Sequence, residues 1–395
     1  MQEQLAVILF KMTNEAAYWI ALAHLPRWGY KKINELIIKF FHENQVSIVD
    51  FFGLTESDWR NIYQLGEAQV TDLQNAKSEL GSNAFLAESL LNQGYEIIPI
   101  TSPDYSKTLK ENLKTTQAPT VLYVKGNKKI LEEKSVAIVG SRAASEIALK
   151  FTDNIAKNAS KDYKVVVSGF AKGVDKQALD SAINYKGQSI IVLPQGIMTF
   201  TSGFKKYYKQ IIDGDVLVLS TFHPKATWEV GLAMARNPII YGLADEIYVA
   251  ESSNKGGTWS GVIDGLKKGR KIFVREPEPS ETSANRLLIQ KGAVPVDSEG
   301  NVLLNMTDSV PLEFNSVVQE SRLEGEGLDG KIRSVLEFRA LTAKEILGKL
   351  NLDWTTSEIN KYIEKLNFVE TRKLGGKKLF SLKEAKSSVQ TRLFD

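Results

Sequence analysis

Apolar residues recur at three- and four-residue spacing through Ala16–Leu25, Lys31–Phe41 and Glu67–Leu80. That period belongs to helices that bury one face, so residues 14–95 are predicted to be helical. Trp28-Gly29-Tyr30 interrupts the first two segments and reads as a tight turn. From about residue 95 the period changes. Tyr95–Ile100 and Thr120–Val124 are short β-rich runs. An alternation follows: strand Ser135–Val139, helix Ser145–Ala159, strand Val165–Ser168, helix Asp175–Ala182, strand Ser189–Leu193. Further strands are expected at Val216–Leu219, Glu246–Ala250 and Lys271–Val274, with helices at Thr227–Ala235 and Trp259–Lys268. Short, wholly apolar strands alternating with helices predict a mostly parallel sheet covered on both faces, an α/β Rossmann-like fold.

Residues 301–327 carry no strong period, and Glu324-Gly-Glu-Gly327 reads as a linker. Three short helices are expected beyond it, at Asp329–Phe338, Thr342–Leu350 and Thr355–Leu366. Thr355 and Glu358 have the spacing of a capping box. Phe368–Leu374 and Lys377–Leu382 flank Gly375-Gly376 and predict a hairpin. Three helices and a hairpin form the winged-helix pattern. The expected organisation is a helical domain at 1–95, a Rossmann-like domain at 96–305, a linker at 306–327 and a winged helix at 328–395.

Composition narrows the chemistry. With 43% hydrophobic and 25% charged residues the chain fits globular domains rather than disorder. It has no cysteine, which excludes disulfides, thiolate metal sites and cysteine catalysis. Three histidines (His24, His42, His223) leave little for a metal centre or a histidine-based triad. The apolar run Leu5–Phe10 is short and closed by Lys11, and no run reaches the ~18 apolar residues of a membrane span. A cytoplasmic protein without membrane contact is expected. The net charge is +3, but residues 330–395 hold 14 Lys+Arg against 8 Asp+Glu, an excess of 6. The tail is basic and the remainder is near neutral.

The candidate chemistry lies at the predicted strand ends, where open α/β sheets bind ligands. The first strand ends in Gly140-Ser141-Arg142, a hydroxyl and a cation at the lip of a helix, which suits a phosphate. Arg142 could equally pair with a carboxylate. Val167–Asp175 adds two glycines and Lys172 at the next strand end. Leu193–Gly196, Ala235–Pro238 and Glu251–Thr258 follow in turn. Together they gather Arg142, Lys172, Arg236, Lys255 and several glycines on one rim. The first turn lacks the G-x-G-x-x-G pattern, and no acidic residue ends the next strand, which disfavours a dinucleotide.

The order Gly-Ser-Arg, then Ser-Gly-x-Ala-x-Gly-x-Asp, Arg-Asn-x-x-Ile, Glu…Gly-Thr and Gly292-Ala293 resembles the DNA processing protein A (DprA/Smf) family. The lead-in Pro119–Asn127 is similar to that family's Pro-x-x-Leu-Tyr-x-Lys-Gly-Asn segment. The likeness spans about residues 14–300 and 328–385. It implies an amino-terminal domain of the SAM or helix-hairpin-helix kind. It also implies single-stranded DNA bound at the Rossmann rim, a homodimer formed through that domain and possible delivery of the strand to the RecA recombinase. The implied DNA-facing residues are Gly140, Ser141, Arg142, Ser168, Gly169, Lys172, Arg236, Asn237, Gly257 and Thr258; Lys255 joins them by its place on the rim. The chain departs from the family pattern at Ala178-Leu179, Pro238, Gly256-Gly257-Thr258 and Arg275-Glu276-Pro277.

No enzyme activity, cofactor or metal is expected, because no carboxylate pair, metal cluster or nucleophile–base pair stands out. The alternative reading is a nucleotide-binding sensor or a nucleotide-cleaving enzyme. On that reading Gly256-Gly257-Thr258 forms a phosphate loop and Glu251 or Glu229 acts as the acid.

Overall fold

A computed structural model of the protein describes residues 15–303, 329, 332, 335, 336, 341–350, 354–366, 368–374 and 377–382. These fall into two compact units, 1–305 and 306–395.

The first unit is built on a nine-stranded sheet in the order β1-β2-β6-β5-β4-β3-β7-β8-β9. The strands are β1 Glu96–Pro99, β2 Val121–Lys125, β3 Ser135–Val139, β4 Val165–Ser168, β5 Ser189–Val192, β6 Val216–Ser220, β7 Glu246–Val249, β8 Ile272–Arg275 and β9 Val294–Val296. From β6 to β9 all neighbours are parallel. β2 joins β6 antiparallel and β1 joins β2 antiparallel, so the β-rich lead-in forms one edge of the sheet. Every residue of β3, β4, β5 and β6 is buried, which is why these runs lack polar alternation.

One face of the sheet is covered by helices Glu146–Lys161 and Val174–Asn184, packed through Phe151, Ile155 and Ala178. The other carries Lys107–Gln117, Val230–Leu243 and Gly257–Lys267, with Leu109, Ile240 and Val262 in the core. The amino-terminal helices share a third core with the sheet, in which Trp19, Phe40 and Trp59 lie in one cluster with Tyr123, Ile191 and Val218.

Two expected helices are displaced. The one predicted at Thr227–Ala235 runs instead over Val230–Leu243 and carries Pro238 inside it. Proline removes one backbone bond, yet Ile239, Ile240 and Leu243 must be buried beyond it, and that packing prolongs the helix. The one predicted at Trp259–Lys268 starts at Gly257. Arg236, Asn237, Gly257 and Thr258 therefore sit on helices rather than in loops. Helices the sequence reading left out include Lys107–Gln117, Thr201–Lys206 and Tyr208–Asp213. No helix among the described residues is long and apolar enough to cross a membrane.

In the second unit, helices Ala343–Leu350 and Thr356–Ile363 precede a hairpin of Val369–Leu374 and Lys377–Leu382. Thr355 and Glu358 form the expected capping box. Ile332, Ile346, Ile359 and Phe380 form its core. Of the expected helix Asp329–Phe338, only Asp329, Ile332, Val335 and Leu336 are described, and all four are helical. Gly375-Gly376 and most of the expected linker lie outside the described residues.

Candidate functional site

The sheet order fixes where a ligand can sit. From β3 the chain steps outward through β4, β5 and β6, then returns to place β7 on the other side of β3. At such a reversal the loops leaving two adjacent strands diverge and open a crevice. A cleft of about 370 Å³ lies there. Its walls are Gly140–Arg142 after β3, Ser252–Thr258 after β7, and the Ala233–Tyr241 face of the preceding helix. A second hollow of about 400 Å³ adjoins it and is lined by Phe170, Lys172, Pro194, Gln195 and Phe200. The two share Arg142, Ala171, Trp228, Ala233 and Arg236, and so form one groove across the strand ends.

The predicted residues fall into three groups. Arg142, Lys172 and Lys255 are exposed along this groove, and none makes an ion pair among the described residues. Gly140, Asn237, Gly257 and Thr258 line its inner part, where Thr258 Oγ1 donates to the Gly140 carbonyl at 3.2 Å. The rest hold the frame. Ser168 is buried, and its hydroxyl donates to the Ile138 carbonyl at 2.9 Å, tying β4 to β3. The Ser141 backbone N–H donates to the Glu251 carbonyl at 2.9 Å, while its hydroxyl accepts from the Ala143 N–H. Ser141 therefore contributes no free donor from its backbone.

Arg236 lies at the floor, only 3% exposed. Its Nη1 is 3.6 Å from Asp175 Oδ2, a distance too long for a hydrogen bond. Burial pushes the Asp175 carboxyl up, against the pull of Arg236, and burial lowers the Arg236 guanidinium. This pair explains Gly169: a Cβ there would stand 1.5 Å from Arg236 Nη1 and 2.4 Å from Asp175 Oδ2. Gly173 has φ +79°, and a Cβ on it would strike the Ser141 carbonyl. Two glycines of the Val167–Asp175 segment are thus required by packing beneath the groove.

The sequence reading missed Trp228, which is 51% exposed and borders both halves of the groove. Val230 and Met234 beside it are exposed as well. The available signal was an aromatic between Thr227 and Glu229, outside any apolar period. Glu251 is turned to the start of the neighbouring helix, where its carboxylate accepts from the Ser145 hydroxyl at 2.6 Å and the Ser145 N–H at 3.1 Å. Neither Glu251 nor Glu229 is among the residues lining the cleft.

Comparison with known proteins follows the same segments. The model of the family described as DNA recombination-mediator protein A matches residues 96–307. The DNA processing protein DprA of Streptococcus pneumoniae is 33% identical over 188 residues, 47% of this chain and 66% of that protein. The match therefore spans just under two thirds of the pneumococcal protein's length. Protein Smf of Synechocystis is 26% identical over 313 residues, covering 76% of this chain and 74% of that protein. The X-ray structure of the pneumococcal protein superimposes with a TM-score of 0.59 and 26% identity, over 72% of this chain and 95% of that one.

Proposed function

The chain belongs to the DNA recombination-mediator protein A family, and from that premise we propose that its groove binds single-stranded DNA without altering it chemically. The observation that carries this is the set of exposed cations Arg142, Lys172 and Lys255, without ion pairs among the described residues, along one groove with a half-exposed Trp228. The cations attract sugar-phosphate backbone of any sequence. A Cβ on Gly140 would stand 2.6 Å from Val174 Cγ2 and one on Gly257 2.3 Å from Asn237 Nδ2, so both glycines let the walls of the groove pack closely. The Trp228 indole offers a platform for one unpaired base, a contact every base can make. A duplex keeps its bases stacked inside, so that platform favours single strands. Against a nucleotide-cleaving reading stands the engagement of the Glu251 carboxylate by Ser145.

Three further parts of the reading rest on family likeness. The chain pairs with a second copy through the sheet-bearing unit, it hands its strand to a RecA-type recombinase, and its carboxy-terminal unit is a winged helix of secondary role. The test is fluorescence anisotropy with one labelled oligonucleotide, offered as single strand and as duplex. The reading expects tighter binding of the single strand, full-length oligonucleotide recovered afterwards, and retention of that binding in a chain ended near residue 325. Equal affinity for the duplex, or cleaved oligonucleotide, contradicts it.

A further inference from the structure

The inner end of the cleft holds donors that no hydrogen bond among the described residues satisfies. Arg236 Nε and Nη1 are buried and have no hydrogen-bond partner among the described residues. The nearest carboxylate, on Asp175, stands 3.6 Å away. A guanidinium withdrawn from water is costly unless its fork is filled, and its planar N–H pairs match a phosphate. Arg236 lines the cleft together with the first residues of helix Gly257–Lys267. That helix starts after Gly256 and has no side-chain cap, so its first-turn amides are open to an anion. A buried arginine whose Nε and Nη1 lack hydrogen bonds among the described residues, its charge facing Asp175 at 3.6 Å, thus meets an uncapped helix start in one cavity of about 370 Å³, the volume of a small-ligand site.

We infer that this inner cleft is a phosphate-monoester site, which takes the terminal phosphate of a single nucleotide with Arg236 as its innermost ligand. Depth decides for a terminal group. A phosphodiester within a strand carries a sugar on both sides, and both would have to enter to bring it to a residue 3% exposed. A monoester carries only one and can enter end-on. The phosphate reaches the guanidinium while its nucleoside lies toward the mouth, where Trp228 and Met234 stand exposed. The monoester comes either from a free mononucleotide or from the 5′ or 3′ end of a strand lying in the groove. Only the strand-end source rests on the single-strand reading above.

The experiment uses the full chain and two readouts. Calorimetry compares deoxyadenosine monophosphate with deoxyadenosine. Anisotropy compares one oligonucleotide carrying a 5′-phosphate, a 3′-phosphate or hydroxyls at both ends. Binding of the monophosphate at one site per chain, about tenfold tighter than the nucleoside, is expected, as befits a charge-assisted contact. A terminal phosphate that also tightens the oligonucleotide identifies the strand end as the source; an unchanged oligonucleotide identifies the free nucleotide. Arg236→Gln combined with Asp175→Asn removes both buried charges together and should abolish the monophosphate's advantage. If that variant fails to fold, the wild-type comparisons still decide. No preference for the monophosphate and no effect of either terminal phosphate overturns the site. Binding of the hydroxyl-ended strand persists in that case if the groove reading holds, and is absent if that reading fails too.

Discussion

Trp228 is half exposed at the point where the two hollows meet, and a large aromatic left in water beside a cationic groove needs a reason. Base stacking on an aromatic is worth about 1–3 kcal/mol. Trp228→Ala should therefore weaken single-strand binding by about five- to 150-fold while leaving duplex binding nearly unchanged. Equal losses for both nucleic acids would show that the indole does not select. A second residue-scale prediction concerns His24. Its ring is partly buried, stacks on Tyr123, shares a 2.8 Å hydrogen bond with the Tyr123 hydroxyl, and meets His223 at 5.2 Å. Burial, followed by the neighbouring His223, lowers its pKa from 6.5 to about 3. The unfolded chain takes up a proton below pH 6.5, whereas the folded chain does not until about pH 3. Stability is thus unaffected by this group above 6.5 and falls as pH drops through that window, by up to about 5 kcal/mol. Denaturant titrations from pH 7 to 4 should show a shallower decline in His24→Gln than in the wild type; parallel curves would contradict the assignment. At this scale the rim cations Arg142, Lys172 and Lys255 were legible in the sequence, because each follows an apolar strand. Ser168 was not separable from them: it shares their motif, and only the hydrogen bond to Ile138 shows that it holds the sheet.

Among the elements, strands could be read closely from their apolar runs, whereas helix ends could not. Pro238 ends a helix in a local reading, yet the helix continues to Leu243 because the residues beyond it bury against the sheet and the Lys107–Gln117 helix. The loop after β7 shows the same dependence on distant partners. Asn285 is fully buried; its side-chain amide donates to the Ala250 and Arg275 carbonyls, and its oxygen accepts from the Ser252 N–H. Arg275, also buried, is held by Glu281 at 2.5 and 2.8 Å and donates to the Ala250 carbonyl. These residues moor the outer wall of the cleft. Asn285→Ala takes a partner from the Ser252 N–H and the Arg275 carbonyl, while the Ala250 carbonyl keeps its bond from Arg275, and should cost about 3 kcal/mol. It should also speed amide exchange across Glu251–Gly256. A variant with wild-type melting and unchanged exchange there would show that the loop is held by other means.

For the molecule as a whole, net charge was uninformative: +3 over 395 residues does not announce a polyanion ligand. What matters is arrangement, and arrangement depends on strand order, which no local pattern reveals. The fold class and the strand-end rim followed from the alternation of strands and helices. The reversal that seats β7 beside β3, and so brings residues 140–142 against 252–258, is visible only in three dimensions. The central claim is that this groove, through Arg142, Lys172 and Lys255, grips the backbone of a single strand. Its most direct test is the salt dependence of single-strand affinity, measured for the wild type and for the combined Arg142→Ala, Lys172→Ala and Lys255→Ala variant. Each lost phosphate contact lowers the slope of log affinity against log salt by about 0.7. The account predicts a variant that is folded, binds more weakly, and has a slope smaller by about 2. A folded variant with the wild-type slope and affinity would contradict it.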